Sequence, residues 1–153
     1  MNYNKIVNHL YFGNLVPRSD FFHLIVNCTH EFPFSYFCKE RVRIPVNEDE
    51  PDECKIIELL IQTNVLKKIH TCISNKENVL VHCFGVEKQR SFVIIICYLM
   101  LYYDLTPDEA IEHVHEKSFI GFLDNIRFFS TIQIFYEYII KNRNKNRNKN
   151  IKN

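Results

Sequence analysis

The sequence lacks any apolar run long enough to cross a membrane. The longest, from Phe92 to Tyr103, has about twelve residues, whereas a spanning helix needs roughly twenty. Residues 1–5 are polar and do not have the pattern of a signal peptide. We therefore expect an intracellular protein with no membrane partner, in the cytoplasm or, as the alternative, in the nucleus.

The sequence also lacks the spacings typical of metal and disulfide sites. Its six cysteines include no CxxC pair and no zinc-ligand spacing, and its histidines other than His82 form no convincing ligand set. We expect free, mostly buried thiols in a reducing compartment, with no metal and no cofactor. The cysteines are Cys28, Cys38, Cys54, Cys72, Cys83 and Cys97.

Tryptophan is absent, but 13 phenylalanines and 8 tyrosines give the chain a heavy aromatic content. We assign most of these rings to packing. With 46% apolar residues in a chain of 153, the composition predicts one globular domain with a single sizeable core, over residues 1–140. The sequence gives no indication of an oligomeric state.

Positive charge is concentrated at the carboxyl end. Residues 141–153 repeat an Asn-Lys/Arg pattern with six cations and no acid, which leaves a net charge of −5 for residues 1–140. Such a segment cannot bury enough apolar surface to fold alone, so we predict a disordered basic tail. The tail could bind nucleic acid, although a solvated low-complexity segment is the simpler explanation.

Strand patterns alternate with helix patterns along the chain. Branched and apolar runs predict strands, helical spacing of apolar residues predicts helices, and Thr106-Pro107 with Glu109 predicts a capped helix start. The predicted strands are 24–27, 41–46 and 79–82, and the predicted helices are 54–74, 91–103 and 122–141. This order predicts an α/β fold with a central mixed, largely parallel sheet flanked by helices.

The segment from Val79 to Met100 combines an apolar strand, a polar loop and a buried helix. Cys83 ends the strand, and Arg90 and Ser91 begin the helix. The first turn of a helix has unpartnered amides and a partial positive charge, which bind anions and favour thiolate over thiol. An arginine adds a planar fork that matches two phosphate oxygens. The layout therefore predicts an anion-binding, nucleophilic cysteine.

Val79-Leu80-Val81-His82-Cys83, followed by Arg90-Ser91 and the helix ending at Met100, resembles the signature of the dual-specificity branch of the cysteine-based protein tyrosine phosphatases. The resemblance covers about residues 5 to 140. Further segments match in order, namely Leu10 to Asn14, Ile25 to Thr29, Arg43 to Val46, Leu105 to Ala110, and Gly121 to Leu123. Several matches in the right order are more specific than one motif.

The resemblance implies a protein tyrosine phosphatase-like fold, a phosphorylated protein as substrate, and a role for each residue of the motif. Cys83 is the implied nucleophile, Arg90 and Ser91 bind phosphate, and His82 supports the loop and the thiolate. The implied phosphate-binding loop consists of Phe84, Gly85, Val86, Glu87, Lys88, Gln89 and Arg90.

This loop departs from the family pattern. The family has five residues between the cysteine and the arginine, whereas this chain has six. Gly85 comes two residues after Cys83 instead of three, and Glu87 brings a carboxylate into a loop that would attract an anion. The sequence therefore leaves three functions open: an active protein phosphatase, an inactive phosphatase-like module that binds phosphorylated partners, and an RNA 5′-phosphatase.

The residue at the position of the general acid also departs from the family pattern. In the family an aspartate after the third strand protonates the leaving oxygen, and the matching position here is Glu48, followed by Asp49. Either carboxyl could serve, because proton donation requires reach and a suitable pKa. The alternative is that both belong to a solvated acidic turn ahead of a helix, where acids suit the helix dipole.

Overall fold

The structure, a computed structural model, describes residues 3–13, 20–34, 38–46, 53–84, 89–118 and 128–152. These residues form one five-stranded sheet and five helices. In chain order the elements are β1 (Tyr3–Val7), β2 (Leu10–Gly13), β3 (Leu24–Asn27), β4 (Glu40–Arg43), α1 (Glu53–Thr63), α2 (Val65–Ser74), β5 (Val79–His82), α3 (Gln89–Tyr102), α4 (Pro107–Ser118) and α5 (Phe129–Lys152).

The sheet is mixed and largely parallel, as predicted. Its order is β1-β2-β5-β3-β4, with β2, β5, β3 and β4 parallel and β1 antiparallel to β2 at one edge. The predicted strands 24–27 and 79–82 coincide with β3 and β5. The predicted strand 41–46 ends early, at Arg43. The sequence did not predict β1, because only Ile6 of this edge strand is buried.

The central strand β5 is buried along its whole length, which explains its unbroken apolar sequence. Val79 and Val81 face the main core with the helices, whereas Leu80 faces a smaller cluster on the opposite side of the sheet. Helix α3 is buried over nearly all of its length, as its all-round apolar sequence predicts. Strand and helix together form the centre of the molecule.

The predicted single helix over 54–74 is wrong. The chain forms α1 and α2, separated at Asn64, whose backbone is left-handed with φ of 54° and ψ of 32°. The apolar spacing continues across this residue, so periodicity alone does not reveal the break. Asparagine is one of the few residues that adopts this conformation readily.

The predicted start of α4 is confirmed in detail. The Thr106 amide donates to Glu109 Oε2 at 2.9 Å, and the Glu109 amide donates to Thr106 Oγ1 at 3.3 Å. These reciprocal bonds form a capping box, and Pro107 is the first helical residue.

The predicted final helix and disordered tail differ from the structure. Helix α5 begins at Phe129 and continues to Lys152, and the predicted start near Phe122 lies outside the described residues. Extending an existing helix is far less costly than nucleating one, and Arg143 anchors α5 by bonding to Asp104 and to the Leu101 carbonyl. No described helix is both long enough and apolar enough to span a membrane.

Candidate active site

Cys83 follows β5 directly and lies where the carboxyl ends of parallel strands meet. Strands β2 and β3 flank β5, and Cys83 is only 1% exposed. Helix α3 starts at Gln89, so the chain passes from the strand end to a helix start as the sequence predicts. In open α/β sheets this edge is the usual location of ligand sites.

Ser91 contacts the Cys83 sulfur. Its Oγ lies 3.2 Å from Cys83 Sγ, and the serine is fully buried in the first turn of α3. This contact joins the strand end to the helix start, where the amides carry a partial positive charge. The hydroxyl can donate to the sulfur when the sulfur is a thiolate.

Arg90 lies close to the same place. It is 7% exposed, and its Nη2 donates to the carbonyl of Phe84, the residue after Cys83. The charges of Cys83 and Arg90 both act on the fully buried thiol of Cys28. Its pKa is raised well above the ordinary value by burial and by the Cys83 charge, whereas the Arg90 charge lowers it. Cys83 and Arg90 therefore both lie within electrostatic range of Cys28.

The sequence did not predict that Cys28 belongs to this site. Cys28 follows β3, the parallel neighbour of β5, and its amide donates to the His82 carbonyl at 2.8 Å. The sequence contains one indication, namely that Cys28 directly follows a predicted strand. Residues that follow adjacent parallel strands lie at the same edge of a sheet. Without the strand order, that signal cannot be read.

His82 is a neutral, buried side chain at neutral pH. It is 1% exposed, and burial lowers its pKa to about 4. The nearby Arg43 charge adds to this lowering, whereas a hydrogen bond with the Cys83 backbone opposes it. Among the described residues its Nε2 has no hydrogen-bond partner. The bond to the Cys83 backbone is consistent with the supporting position that the resemblance implies.

A hydrogen-bonded loop lies beside Phe84, the residue after Cys83. Asn27 Oδ1 accepts from the amide and hydroxyl of Thr29 at 3.0 and 2.7 Å, and Asn27 Nδ2 donates to the Phe32 carbonyl at 2.9 Å. Arg43 donates to the Thr29 and Phe32 carbonyls at 2.7 and 2.8 Å. This network holds the Phe32 ring against Phe84, with ring centroids 4.6 Å apart and planes 22° apart.

Several predicted site residues lie outside the described residues. They are the two candidate acids, Glu48 and Asp49, and the middle of the loop, Gly85, Val86, Glu87 and Lys88. The backbone of Gln89 is described as the first residue of α3, but its side chain is not. His82, Cys83, Phe84, Arg90 and Ser91 are thus the residues of the predicted site that the structure brings together.

A protein-family model matches most of the sequence. The family described as "Dual specificity phosphatase, catalytic domain" matches residues 18–138, which is most of the chain and includes every candidate site residue. No curated protein sequence matches the chain.

Solved structures share the fold at low sequence identity. A variant of human DUSP28 has a TM-score of 0.77 at 17% identity, covering 93% of this chain and 99% of that one. A leucine rich repeat and phosphatase domain containing protein from Entamoeba histolytica has a TM-score of 0.72 at 19% identity, covering 92% and 94%. PTPMT1 has a TM-score of 0.71 at 16% identity, covering 94% and 99%.

The α/β architecture, with its mixed five-stranded sheet flanked by helices, is the one that the resemblance implied. The family match extends over more than half of the chain, and each of the three solved structures covers more than nine tenths of it. This chain belongs to the dual specificity phosphatase catalytic domain family, within the cysteine-based protein tyrosine phosphatases.

Proposed function

We propose that the chain is a protein phosphatase that hydrolyses phosphotyrosine, phosphoserine or phosphothreonine through a cysteinyl-phosphate intermediate. The observation that carries this proposal is the 3.2 Å contact between Cys83 Sγ and Ser91 Oγ at the start of α3. A sulfur at the head of a buried helix, beside the buried Arg90, has the surroundings that a nucleophile and its phosphate need.

In the first step the Cys83 thiolate attacks phosphorus. A sulfur–phosphorus bond forms and the ester phosphorus–oxygen bond breaks, while Glu48 or Asp49 gives a proton to the leaving oxygen. The Arg90 guanidinium and the loop amides hold the equatorial phosphate oxygens, whose charge they stabilise in the transition state.

In the second step water attacks the cysteinyl-phosphate and forms an oxygen–phosphorus bond, while the carboxylate of Glu48 or Asp49 that gave up its proton in the first step takes a proton from this water. The sulfur–phosphorus bond breaks, inorganic phosphate leaves, and the sulfur departs with the electron pair as a thiolate. Ser91 lies within 3.2 Å of this sulfur and donates a hydrogen bond to the charge that develops there. Hydrogen bonds to charged groups contribute about 1.5–3 kcal/mol, which is a useful fraction of a hydrolysis barrier.

The stacked Phe32 and Phe84 rings support an aryl phosphate as one of the substrates. Phe84 directly follows the nucleophile and is 47% exposed, so part of its ring faces the space outside the site. A phosphotyrosine ring can pack against such a surface, and aromatic pairs add about 0.5–1.5 kcal/mol beyond area burial. The shorter phosphoserine side chain lacks a ring for this contact.

Turnover of a small aryl phosphate tests the mechanism. We expect the full chain to release phosphate, and we expect Cys83→Ser to abolish turnover while circular dichroism shows an intact fold. Phosphotyrosine and phosphoserine peptides in the same assay determine the substrate class. Turnover that is unchanged in Cys83→Ser refutes the cysteinyl-phosphate mechanism.

The alternative function is an inactive phosphatase-like module that binds phosphorylated partners. Two observations favour it. The first is that Cys83 and Arg90 are separated by six residues, where the family has five, and that Glu87 is one of the six. The second is that the Arg90 guanidinium already donates to the Phe84 carbonyl. A displacement of about 1 Å at a catalytic site can cost about a hundredfold in rate. Absence of turnover together with phosphopeptide binding that is lost in Arg90→Ala would establish this module.

A second alternative is an RNA 5′-phosphatase. The observation in its favour is the run of exposed cations, Lys145, Arg147 and Lys149, on the last turns of α5. Binding of RNA through these charges would weaken steeply with salt. Deleting residues 145–153 would then remove most of the salt dependence, whereas a protein phosphatase would keep its activity on phosphopeptides.

A further inference from the structure

A second cluster of reactive side chains lies at the opposite edge of the sheet from Cys83. His23 immediately precedes β3, Glu40 is the first residue of β4, and Glu77 lies in the turn before β5. These positions are at the amino ends of three parallel strands, whereas Cys83 is at a carboxyl end. Cys72, in the last turn of α2, completes the cluster, and all four residues line a cavity of about 360 Å³.

The donor atoms of this cluster lie at distances suited to one metal ion. His23 Nε2 is 3.0 Å from Glu77 Oε2 and 3.5 Å from Glu40 Oε1. The donor atoms of His23, Cys72 and Glu77 all lie within 4.8 Å of one another. Tetrahedral Zn²⁺, with bonds of about 2.0–2.3 Å, separates its ligands by about 3.3–3.6 Å, so the widest donor separation has to shorten by at most about 1.5 Å when the ion binds.

The backbone holds Cys72 and Glu77 together. Helix α2 ends in a Schellman motif: the Lys76 amide donates to the Ile73 carbonyl at 3.0 Å, and the Glu77 amide donates to the Cys72 carbonyl at 2.9 Å. Lys76 is left-handed with φ of 60°. This turn brings the carboxylate of Glu77 back over the thiol of Cys72.

The backbone also fixes His23 and Glu40. The His23 amide donates to the Asn78 carbonyl at 2.8 Å, and the His23 carbonyl accepts from the Glu40 amide at 2.8 Å. His23 is therefore tied to the residue after Glu77 on one side and to Glu40 on the other. A ligand set held in this way loses little conformational freedom when a metal binds.

The charges of the cluster favour a cation. The Glu40 and Glu77 carboxylates lie within electrostatic range of the Cys72 thiol, and Glu77 is hydrogen-bonded to it. Two carboxylates thus face the thiol, while Lys67 and Lys68 line the same cavity from α2. A divalent ion between the donors offsets the carboxylate charge at the point where it is greatest.

We propose that His23, Cys72 and Glu77 bind a Zn²⁺ ion, with Glu40 or a water molecule as the fourth ligand. A nitrogen, a sulfur and a carboxylate form a ligand set that suits Zn²⁺ and not Mg²⁺ or Ca²⁺, which prefer oxygen alone. The metal replaces the thiol proton, which passes to solvent, and the sulfur binds as thiolate. The site joins α2 to the starts of three strands and serves the fold, independently of the function proposed for Cys83.

Metal titration of the full chain, without a histidine tag, tests this site. We expect calorimetry with Zn²⁺ to give one equivalent bound, and Co²⁺ in its place to give a thiolate-to-metal charge-transfer band. Both His23→Ala and Cys72→Ser should weaken Zn²⁺ at least tenfold, and Cys72→Ser should remove the charge-transfer band. Cys38→Ser is the matched control, because Cys38 is buried on the other face of the sheet.

A Cys83→Ser chain separates this site from the candidate active site. Binding that persists in Cys83→Ser and disappears in Cys72→Ser supports the proposal, as does a Zn²⁺-dependent rise in melting temperature that both His23→Ala and Cys72→Ser abolish. If Cys72→Ser does not fold, His23→Gln, at a partly exposed side chain, gives the same comparison. Absence of Zn²⁺ binding, or binding that is lost in Cys83→Ser or in Cys38→Ser, overturns the proposal.

Discussion

At the residue scale, burial determines the charge of His82 and so links stability to pH. An ordinary histidine has a pKa near 6.5, whereas burial lowers that of His82 to about 4. In the unfolded chain the ring takes up a proton as the pH falls through about 6.5, but in the folded chain it does so only near pH 4. The unfolded state then binds more protons, so stability contributed by His82 is fully present above pH 6.5 and is lost as the pH falls toward 4.

We therefore predict that acid weakens the fold through His82. Between pH 7 and pH 4 the free energy of unfolding should fall by about 3 kcal/mol from this residue alone, at 1.36 kcal/mol per pKa unit. Urea denaturation of the parent chain and of His82→Asn at a series of pH values measures the difference. A difference between the two chains that does not change with pH would contradict this explanation.

Neighbours in sequence were easier to predict than neighbours in space. Cys83, Arg90 and Ser91 were found from the sequence because one strand-loop-helix unit carries all three. Cys28 and Arg43 reach the site from other strands, and the order in which strands pair is not visible in local patterns. For the same reason, the cluster formed by His23 and Cys72 could not be predicted from local patterns.

At the scale of elements, one residue decides where α1 ends and α2 begins. Asn64 adopts a left-handed conformation with φ of 54°, and its carbonyl accepts from the Lys68 amide at 3.1 Å. Residues with a Cβ lose roughly 1–2 kcal/mol in this conformation, while glycine does not and asparagine is one of the better tolerated alternatives.

Substitutions at Asn64 should follow this conformational cost. We predict that Asn64→Val lowers the free energy of unfolding by about 1–2 kcal/mol, whereas Asn64→Gly leaves it within about 0.5 kcal/mol. Thermal unfolding of the three chains makes the comparison. Equal stability of the valine and glycine variants would show that the break between α1 and α2 does not depend on this residue.

At the scale of the whole molecule, α5 extends beyond the part that packs. Ile132, Phe135 and Ile139 lie in the core, and Arg143 bonds Asp104 and the carbonyls of the last turn of α3. Beyond this anchor every described side chain from Asn144 to Ile151 is exposed. The helical tail therefore contributes charge and little packing.

Removal of the exposed turns of α5 should affect stability less than removal of the Arg143 side chain. Deleting residues 145–153 should leave the melting temperature unchanged within about 2 °C, because surface positions contribute little. Arg143→Ala should lower the free energy of unfolding by about 1 kcal/mol, through lost contacts with the end of α3. Arg147→Ala is the control, and a control effect as large as that of Arg143→Ala would contradict the assignment of the anchor.

The sequence by itself determined the α/β class, the buried strand and helix around Cys83, and the family, since each depends on the order and period of nearby residues. Tertiary structure alone decided the strand order, the approach of Cys28 and Arg43 to the site, the break at Asn64, and the meeting of His23 with Cys72. The physical reason is that periodicity records which face of an element is buried, while the choice of partner depends on packing between distant segments that no local pattern encodes.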